Sequence, residues 1–101
     1  MSGSGSIDPP RKLVRVRIEG HVQGVGFRAW VAATATGLGL DGWVANRRDG
    51  GVEAVFCGPA STVDEMVGRC HAGPPAAHVA MVREFAEAGS VSAGFHVHPT
   101  R

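Results

Sequence analysis

The chain has 101 residues, of which 44% are hydrophobic, and its ten lysines and arginines nearly balance nine aspartates and glutamates to a formal net charge of +1. This length suits one domain with a single hydrophobic core. A charge so close to neutral excludes the broad basic surface of a general nucleic-acid binder, so any anion site must be local.

Residues 1–10 include the low-complexity run Ser2-Gly3-Ser4-Gly5-Ser6, which is typical of a disordered tail or a cloning scar. They lack the apolar stretch of a secretion signal, and no run in the chain approaches the ~18 apolar residues of a membrane span. Cys57 and Cys70 form neither a CxxC motif nor a disulfide framework. We therefore expect a cytoplasmic protein whose folded domain is residues 11–101, without a membrane segment.

The first half of that domain predicts a strand, a helix and a hairpin. Apolar and charged side chains alternate over residues 12–19, which indicates a half-buried strand. Apolar residues then recur at helical spacing from Phe27, and Gly39 is expected to end this helix. Residues 40–47 and 52–57 read as two strands joined by a turn at Asp49-Gly50.

The second half predicts one more helix and two strands. Gly58-Pro59 is expected to end the third strand, and Ser61 or Thr62 to cap the second helix, with Thr62 and Glu65 at capping-box spacing. The buried face of this helix is predicted to consist of Val63, Met66, Val67 and Cys70. The fourth strand is predicted from the alternation of Val79, Met81 and Phe85, and a short fifth strand from residues 95–98.

This order of elements, β-α-β-β-α-β, predicts an α+β fold of the ferredoxin-like sandwich type. In such a fold one antiparallel sheet of four to five strands carries two helices on one face. We expect the chain to be a monomer of this architecture.

The segment between the first strand and the first helix is predicted to bind an anion. It reads Gly20-His21-Val22-Gln23-Gly24-Val25-Gly26-Phe27-Arg28. Its glycines allow the backbone to approach a ligand, and unpaired N–H groups at a helix start favour negative charge. Arg28 adds a permanent cation with a planar fork that suits phosphate or carboxylate. The Walker and dinucleotide spacings are absent, and a tight turn beside a solvated arginine is the alternative interpretation.

The predicted topology brings Asn46 to the same edge of the sheet. The first and second strands run the same way with the third between them, so Arg28 and Asn46 should face each other across two strand spacings, about 10 Å. An amide there can accept from a water and donate to a phosphoryl oxygen, which suits orienting a nucleophile. Alternatively, Asn46 only stabilises the approach to the turn.

The residue types in the loop restrict the chemistry. The loop has no Cys, Ser, Asp or Lys for a covalent intermediate, and no carboxylate pair or Cys/His cluster lies near it to hold a metal. Such a site must depend on positioning and electrostatics, and it suits a leaving group that needs no protonation. A carboxylate, whose acid has a pKa of about 4 to 5, meets that condition. The sequence therefore favours an acyl phosphate over a phosphate monoester, and no general base is identified.

From residue 12 to residue 97 the chain resembles the acylphosphatase family. The segment from Gly20 to Arg28 is similar to that family's phosphate-binding signature, and the run from Gly42 to Asn46 with the following Asp49-Gly50 is similar to its second motif. The resemblance implies hydrolysis of acyl phosphates to a carboxylate and inorganic phosphate, without metal or cofactor. It also implies that Arg28 binds the phosphoryl group with the loop amides, while Asn46 orients the attacking water.

Two binding modules are the alternatives. Residues 26–31 weakly resemble the aromatic signature of an RNA-recognition motif. That signature must lie on a strand, whereas here it begins a predicted helix. The chain also resembles the N-terminal domain of the carbamoyltransferase that matures hydrogenases, which would imply carbamoyl-phosphate binding. We expect a small-molecule acyl phosphate as the partner and no nucleic acid.

Overall fold

The computed structural model describes residues 10–101, so the predicted tail lies outside the described residues except for Pro10. The elements are β1 (Arg11–His21), α1 (Phe27–Gly37), β2 (Asp41–Asn46), β3 (Val52–Pro59), α2 (Ala60–Cys70), β4 (His78–Ala86) and β5 (Phe95–Val97). This order confirms the predicted ferredoxin-like α+β fold.

The strands form one sheet in the order β4-β1-β3-β2-β5. The pairs β1–β3, β1–β4 and β2–β3 are antiparallel, whereas β5 pairs with β2 in parallel. The sheet is therefore mixed at one edge, where the sequence predicted an antiparallel arrangement throughout. β5 reaches the edge opposite β4 through a crossing connection, so no hairpin turn sets its direction.

The core lies between one face of the sheet and the two helices. Val14, Val16 and Ile18 of β1 point towards the helices and are buried. α1 adds Phe27, Val31 and Ala35, and the predicted face of α2 is confirmed, since it buries Val63, Met66, Val67 and Cys70. Burying a large apolar side chain contributes about 1.5–3 kcal/mol, so these faces supply most of the driving force for folding.

The predicted start of α2 is wrong. β3 continues through Gly58 to Pro59, which pairs with Arg11, and α2 begins at the next residue. Ser61 and Thr62 consequently lie inside the first turn, and no side chain caps the helix. A strand that leads directly into a helix leaves no loop residue in the capping position.

The predicted alternation in β4 is also wrong at Met81 and Phe85. Met81 is 49% exposed, and Phe85 pairs with Arg15 on the face away from the helices. The register between β1 and β4 shifts next to Gly20, because Glu19 pairs with Met81 whereas Gly20 pairs with Val79. This irregularity inserts one residue into β4, and an inserted residue reverses the side on which the following side chains project. Val79 therefore packs against the core, while Met81 lies on the face away from the helices.

Both helices have 11 residues. Within residues 10–101, no helix combines the length and the apolar character needed to cross a membrane.

Candidate active site

The topology brings the end of β1 and the end of β2 to the same edge of the sheet. Both strands pair antiparallel with β3, so they run in the same direction with β3 between them. Ile18 near the end of β1 and Asn46 at the end of β2 both pair with Val52. Two strand spacings, about 10 Å, therefore separate the backbones from which the glycine loop and Asn46 extend.

The glycine loop takes a backbone conformation that disfavours other residues. Gly24 and Gly26 have φ angles of 73° and 78°, in the left-handed region. Gly26 is the N-cap of α1, and the first turn of this helix contains no acidic residue. The helix N-terminus consequently presents unpaired N–H groups and a partial positive charge without a competing carboxylate.

Burial of Phe27 fixes the start of α1 and thereby the position of Arg28. Phe27 is 2% exposed and meets the ring of Trp30 edge to face, with 5.5 Å between the ring centroids. Because Arg28 is the next residue in the helix, its side chain leaves the backbone on a different side, where it is half-buried. The packed aromatic pair thus anchors the helical turn that carries the cation.

The loop, the helix start and Asn46 surround one surface pocket with a volume of about 330 Å³. It is lined by Val22, Gln23, Gly24, Gly26, Phe27, Arg28, Ala29, Asn46 and Val97. Arg28 is the charged residue of this lining, and the lining contains no carboxylate. The pocket can therefore hold an anion against one arginine, backbone N–H groups and one side-chain amide.

Arg28 differs from the arginines on the other face of the sheet. Within residues 10–101, none of the ion pairs involves Arg28. In contrast, Arg15, Arg17, Arg47 and Arg83 each pair with a carboxylate on the face away from the helices. Among the described residues, the Arg28 guanidinium therefore has no carboxylate partner.

Asn46 is held through its backbone and keeps its side-chain amide for the pocket. Its carbonyl oxygen accepts from the Arg101 N–H at 3.0 Å, next to the pairing of Val44 with Val97 in β5. No side-chain hydrogen bond in the described part of the chain uses the Asn46 amide. An amide in this state can accept from a water and donate to a ligand oxygen.

Gln23 connects the glycine loop to the turn between β2 and β3. Its Nε2 donates to the carbonyl oxygens of Arg47 at 2.7 Å and Gly51 at 2.8 Å. Within the turn, the Gly51 N–H donates to Asp49 Oδ1 at 3.0 Å, and this bond, together with Arg17, lowers the pKa of Asp49 below its ordinary value. The turn is therefore ordered by its own contacts and tied to the loop by Gln23.

The other residues predicted for the site lie outside the pocket lining. Gly20 and His21 belong to β1 and are exposed, and the His21 ring lies 6.4 Å from that of His78. Val25 is partly buried and packs against the core. The structure thus brings together Val22, Gln23, Gly24, Gly26 and Phe27 with Arg28 and Asn46, and leaves Gly20, His21 and Val25 in the supporting backbone.

Sequence reasoning missed Ala29 and Val97 as residues of the pocket. Ala29 follows Arg28 directly, so its proximity could have been inferred from the helix start. Val97 reaches the site only because β5 pairs in parallel with β2, and no local pattern signals that pairing. It is 50% exposed, which makes it an apolar edge of the pocket.

Across residues 10–101, no three His, Cys, Asp or Glu side chains come together in a group that could hold a metal ion. The pocket offers N–H groups, a guanidinium and side-chain amides, and its lining lacks the carboxylates with which proteins usually hold hard cations.

Comparison with known proteins identifies close relatives of this arrangement. The acylphosphatase family model matches residues 14–97. An acylphosphatase from Rhizorhabdus wittichii is 50% identical over 97 residues, which cover 96% of this chain and 98% of that protein. The structure of an acylphosphatase from Coxiella burnetii superimposes with a TM-score of 0.83 at 34% identity, over 87% of this chain and 93% of that one.

A larger protein shares the fold. The structure of full-length HypF in its phosphate- and nucleotide-bound form matches 93% of this chain with a TM-score of 0.83, but only 13% of its own length is involved and the identity is 22%. At that identity the similarity concerns the fold alone.

Proposed function

The chain belongs to the acylphosphatase family, and from that premise we propose that it hydrolyses acyl phosphates to a carboxylate and inorganic phosphate in the pocket between the glycine loop and Asn46. The observation that carries the proposal is the convergence of Arg28, the loop amides and Asn46 on one cavity without a carboxylate.

Arg28 and the backbone N–H groups of the loop bind the phosphoryl group in this proposal. The guanidinium fork and the N-terminus of α1 both complement the charge on the phosphoryl oxygens. Preorganised donors of this kind stabilise the charge that spreads over those oxygens during in-line transfer. Support comes from the absence of ion pairs at Arg28 within residues 10–101.

Asn46 orients the attacking water. Its amide oxygen accepts a hydrogen bond from the water, and its amide nitrogen donates to a phosphoryl oxygen. In this way one side chain fixes the distance and angle between nucleophile and phosphorus. A neutral amide is no base, so the water passes its proton to a phosphoryl oxygen late, after the P–O bond to the carboxylate has largely broken, as metaphosphate-like transition states allow.

The site favours acyl phosphates because it supplies no general acid. The P–O bond breaks and its electron pair goes to the carboxylate, which is a good leaving group without protonation. An alkoxide leaving group would need a proton donor, and the pocket lining contains no carboxylic acid, cysteine or lysine to provide it. Phosphate monoesters should therefore be poor substrates.

The carbamoyl-phosphate and RNA-binding alternatives have less support. Against the carbamoyl-phosphate alternative, the relative from Rhizorhabdus wittichii is an acylphosphatase. Against the RNA-binding alternative, the aromatic residues Phe27 and Trp30 lie in a helix rather than on a strand. We also propose a metal-free, monomeric and cytoplasmic enzyme without a cofactor or nucleic-acid partner. A reducing location is supported by the free cysteines Cys57 and Cys70.

The test measures phosphate release from benzoyl phosphate and p-nitrophenyl phosphate in the presence of EDTA. We expect wild type to cleave the acyl substrate alone, and Arg28→Ala and Asn46→Ala each to lower kcat/KM about a hundredfold or more, as the loss of a transition-state donor does. Arg28→Lys, which retains the charge without the fork, should recover only part of the loss.

Arg48→Ala is the matched control for charge, because Arg48 is exposed in the nearby turn and does not line the pocket. Its kcat/KM should stay within about threefold of wild type, since a surface charge affects mainly the encounter rate. Wild type without activity on benzoyl phosphate, or with activity abolished by EDTA, would contradict the proposed function.

A further inference from the structure

We infer that Gln23 is a positioning residue, which holds the turn between β2 and β3, and with it Asn46, at a fixed distance from the phosphate-binding loop. The inference rests on the proposed function and concerns the same site. It assigns Gln23 a different task from the substrate contact that the family resemblance suggests for the loop.

The hydrogen bonds of Gln23 show how its donors are used. A primary amide nitrogen has two hydrogens, and Gln23 Nε2 donates to the carbonyl oxygens of Arg47 at 2.7 Å and Gly51 at 2.8 Å. Both partners can only accept, so the nitrogen and not the oxygen must face them. No Gln23 donor remains for a phosphoryl oxygen, and Oε1 would repel an anion.

The two carbonyls belong to the residues that close the turn. The Arg47 N–H donates to the Gly51 carbonyl at 2.8 Å, which forms the last rung between the strands. Gln23 therefore bonds to both sides of this rung. Arg47 directly follows Asn46, so a displacement of the rung displaces Asn46 as well.

The glycine loop itself does not need Gln23 to keep its shape. Val22 and Phe27 on either side are 0% and 2% exposed, and the Trp30 N–H donates to the Gly26 carbonyl at 3.0 Å at the start of α1. Loss of the Gln23 amide should leave this frame in place. What changes is the distance between the bound phosphoryl group and the residue that orients the water.

This distinction predicts a specific kinetic result. A displacement of about 1 Å between reacting groups can lower a rate a hundredfold while leaving ground-state binding intact. Removing the Gln23 amide should therefore lower kcat far more than it weakens the binding of inorganic phosphate, because that binding depends mainly on Arg28 and the loop amides and only in part on the single Asn46 donor. A residue that bound the phosphoryl group directly would change that affinity.

The experiment compares wild type, Gln23→Met and Gln23→Glu for benzoyl phosphate hydrolysis and for competitive inhibition by inorganic phosphate. Methionine matches the length of glutamine but has no hydrogen-bond donor, and glutamate matches its shape. If one of the two variants does not fold, the other still provides the comparison. We expect kcat to fall about ten- to a hundredfold, with the Ki for phosphate of Gln23→Met within twofold of wild type. In an Asn46→Ala background, Gln23→Met should lower kcat less than twofold further.

Three results would overturn the inference. These are an unchanged kcat and a tenfold or larger rise in the phosphate Ki of Gln23→Met. The third is that, in the Asn46→Ala background, Gln23→Met lowers kcat by as large a factor as it does in the wild-type background. A readout that needs no turnover separates this inference from the proposed function: hydrogen exchange at the Arg47 N–H should be at least tenfold faster in Gln23→Met. If wild type proves inactive, unchanged exchange would still refute the role of Gln23.

Discussion

The arginines of this molecule lie in two different environments, which differ in whether a carboxylate is nearby. On the face away from the helices, arginines are paired with carboxylates, and Arg15 also lies over the Phe85 ring with its Cζ 4.5 Å from the centroid. Those side chains hold the sheet surface together. Arg28 lies in a pocket without a carboxylate. Identical charges thus pair with carboxylates in one place and lack a carboxylate neighbour in the other, where we propose that Arg28 binds the phosphoryl group.

Val97 provides a test of the pocket edge at the scale of a single residue. Val97→Glu would place a carboxylate beside the proposed phosphoryl site, and repulsion should raise the KM for benzoyl phosphate about tenfold, which corresponds to ~1.4 kcal/mol. The urea midpoint should change little, because Val97 is half exposed.

Met81→Glu is the matched control, because Met81 is equally apolar and 49% exposed but lies on the opposite face of the sheet. Its KM should equal that of wild type. Equal effects of the two substitutions would mean that general charge, and not the pocket edge, determines the KM.

At the scale of elements, β1 and the β2–β3 hairpin are joined by a carboxylate that is nearly buried. Glu53 of β3 is 6% exposed and accepts from Arg15 of β1 at 3.3 Å and from Arg47 after β2 at 2.8 Å. The Glu53 side chain therefore connects β1 to the residue that follows β2, across β3. This bridge keeps the sheet edge that carries both Arg47 and Asn46 in register.

Glu53→Gln should lower the free energy of unfolding by about 1–3 kcal/mol, because two charged hydrogen bonds are weakened and the half-buried Arg15 and Arg47 guanidinium groups lose the opposite charge. Urea denaturation monitored by tryptophan fluorescence measures this change. Glu65→Gln is the control, since Glu65 pairs with Arg69 on the exposed surface of α2 and should cost at most about 0.5 kcal/mol. Equal losses in the free energy of unfolding would show that the buried Glu53 contributes no more to stability than an exposed ion pair.

At the scale of the whole molecule, one buried thiol makes stability depend on alkaline pH. Desolvation by burial raises the pKa of Cys70 from 9.0 to about 12. The folded state thus keeps a proton that the unfolded chain loses above pH 9. The contribution to stability is complete below pH 9 and is lost as the pH rises from 9 towards 12.

In this range we expect the free energy of unfolding to fall by up to about 1.4 kcal/mol per pH unit through Cys70. The comparison uses Cys57→Ala and Cys57→Ala/Cys70→Ala, with urea midpoints measured from pH 8 to 10.5. The double variant should be less stable at every pH, because it lacks the buried sulfur, but its stability should fall less steeply. The chain contains no tyrosine, so no phenol titration obscures the comparison. Parallel slopes would refute the role of Cys70.

Much of this architecture was accessible from the sequence. The order of the strands and helices could be predicted because the patterns that indicate them are local. Examples are the alternation over residues 12–19, the helical spacing after Phe27 and the turn at Asp49-Gly50. Arg28 and Asn46 were located by motif and topology, and the structure brings both to one pocket. Their catalytic roles stay predictions until the variants are measured.

Other features depended on contacts between distant parts of the chain. The register shift beside Gly20 moved Met81 away from the core, and the direct passage from Pro59 into α2 removed the expected cap. Local patterns do not report such events, because they arise from how two strands meet rather than from either strand alone.

The sequence by itself determined which residues can bind an anion, since the glycines, Arg28 and Asn46 carry that chemistry wherever they lie. Only the tertiary structure decided what completes and holds the site. The parallel pairing of β5 with β2 brings Val97 to the pocket, and the turn carbonyls accept both donors of Gln23. The physical reason is that side-chain chemistry is local, whereas register and hydrogen-bond partners are set between segments far apart in the chain.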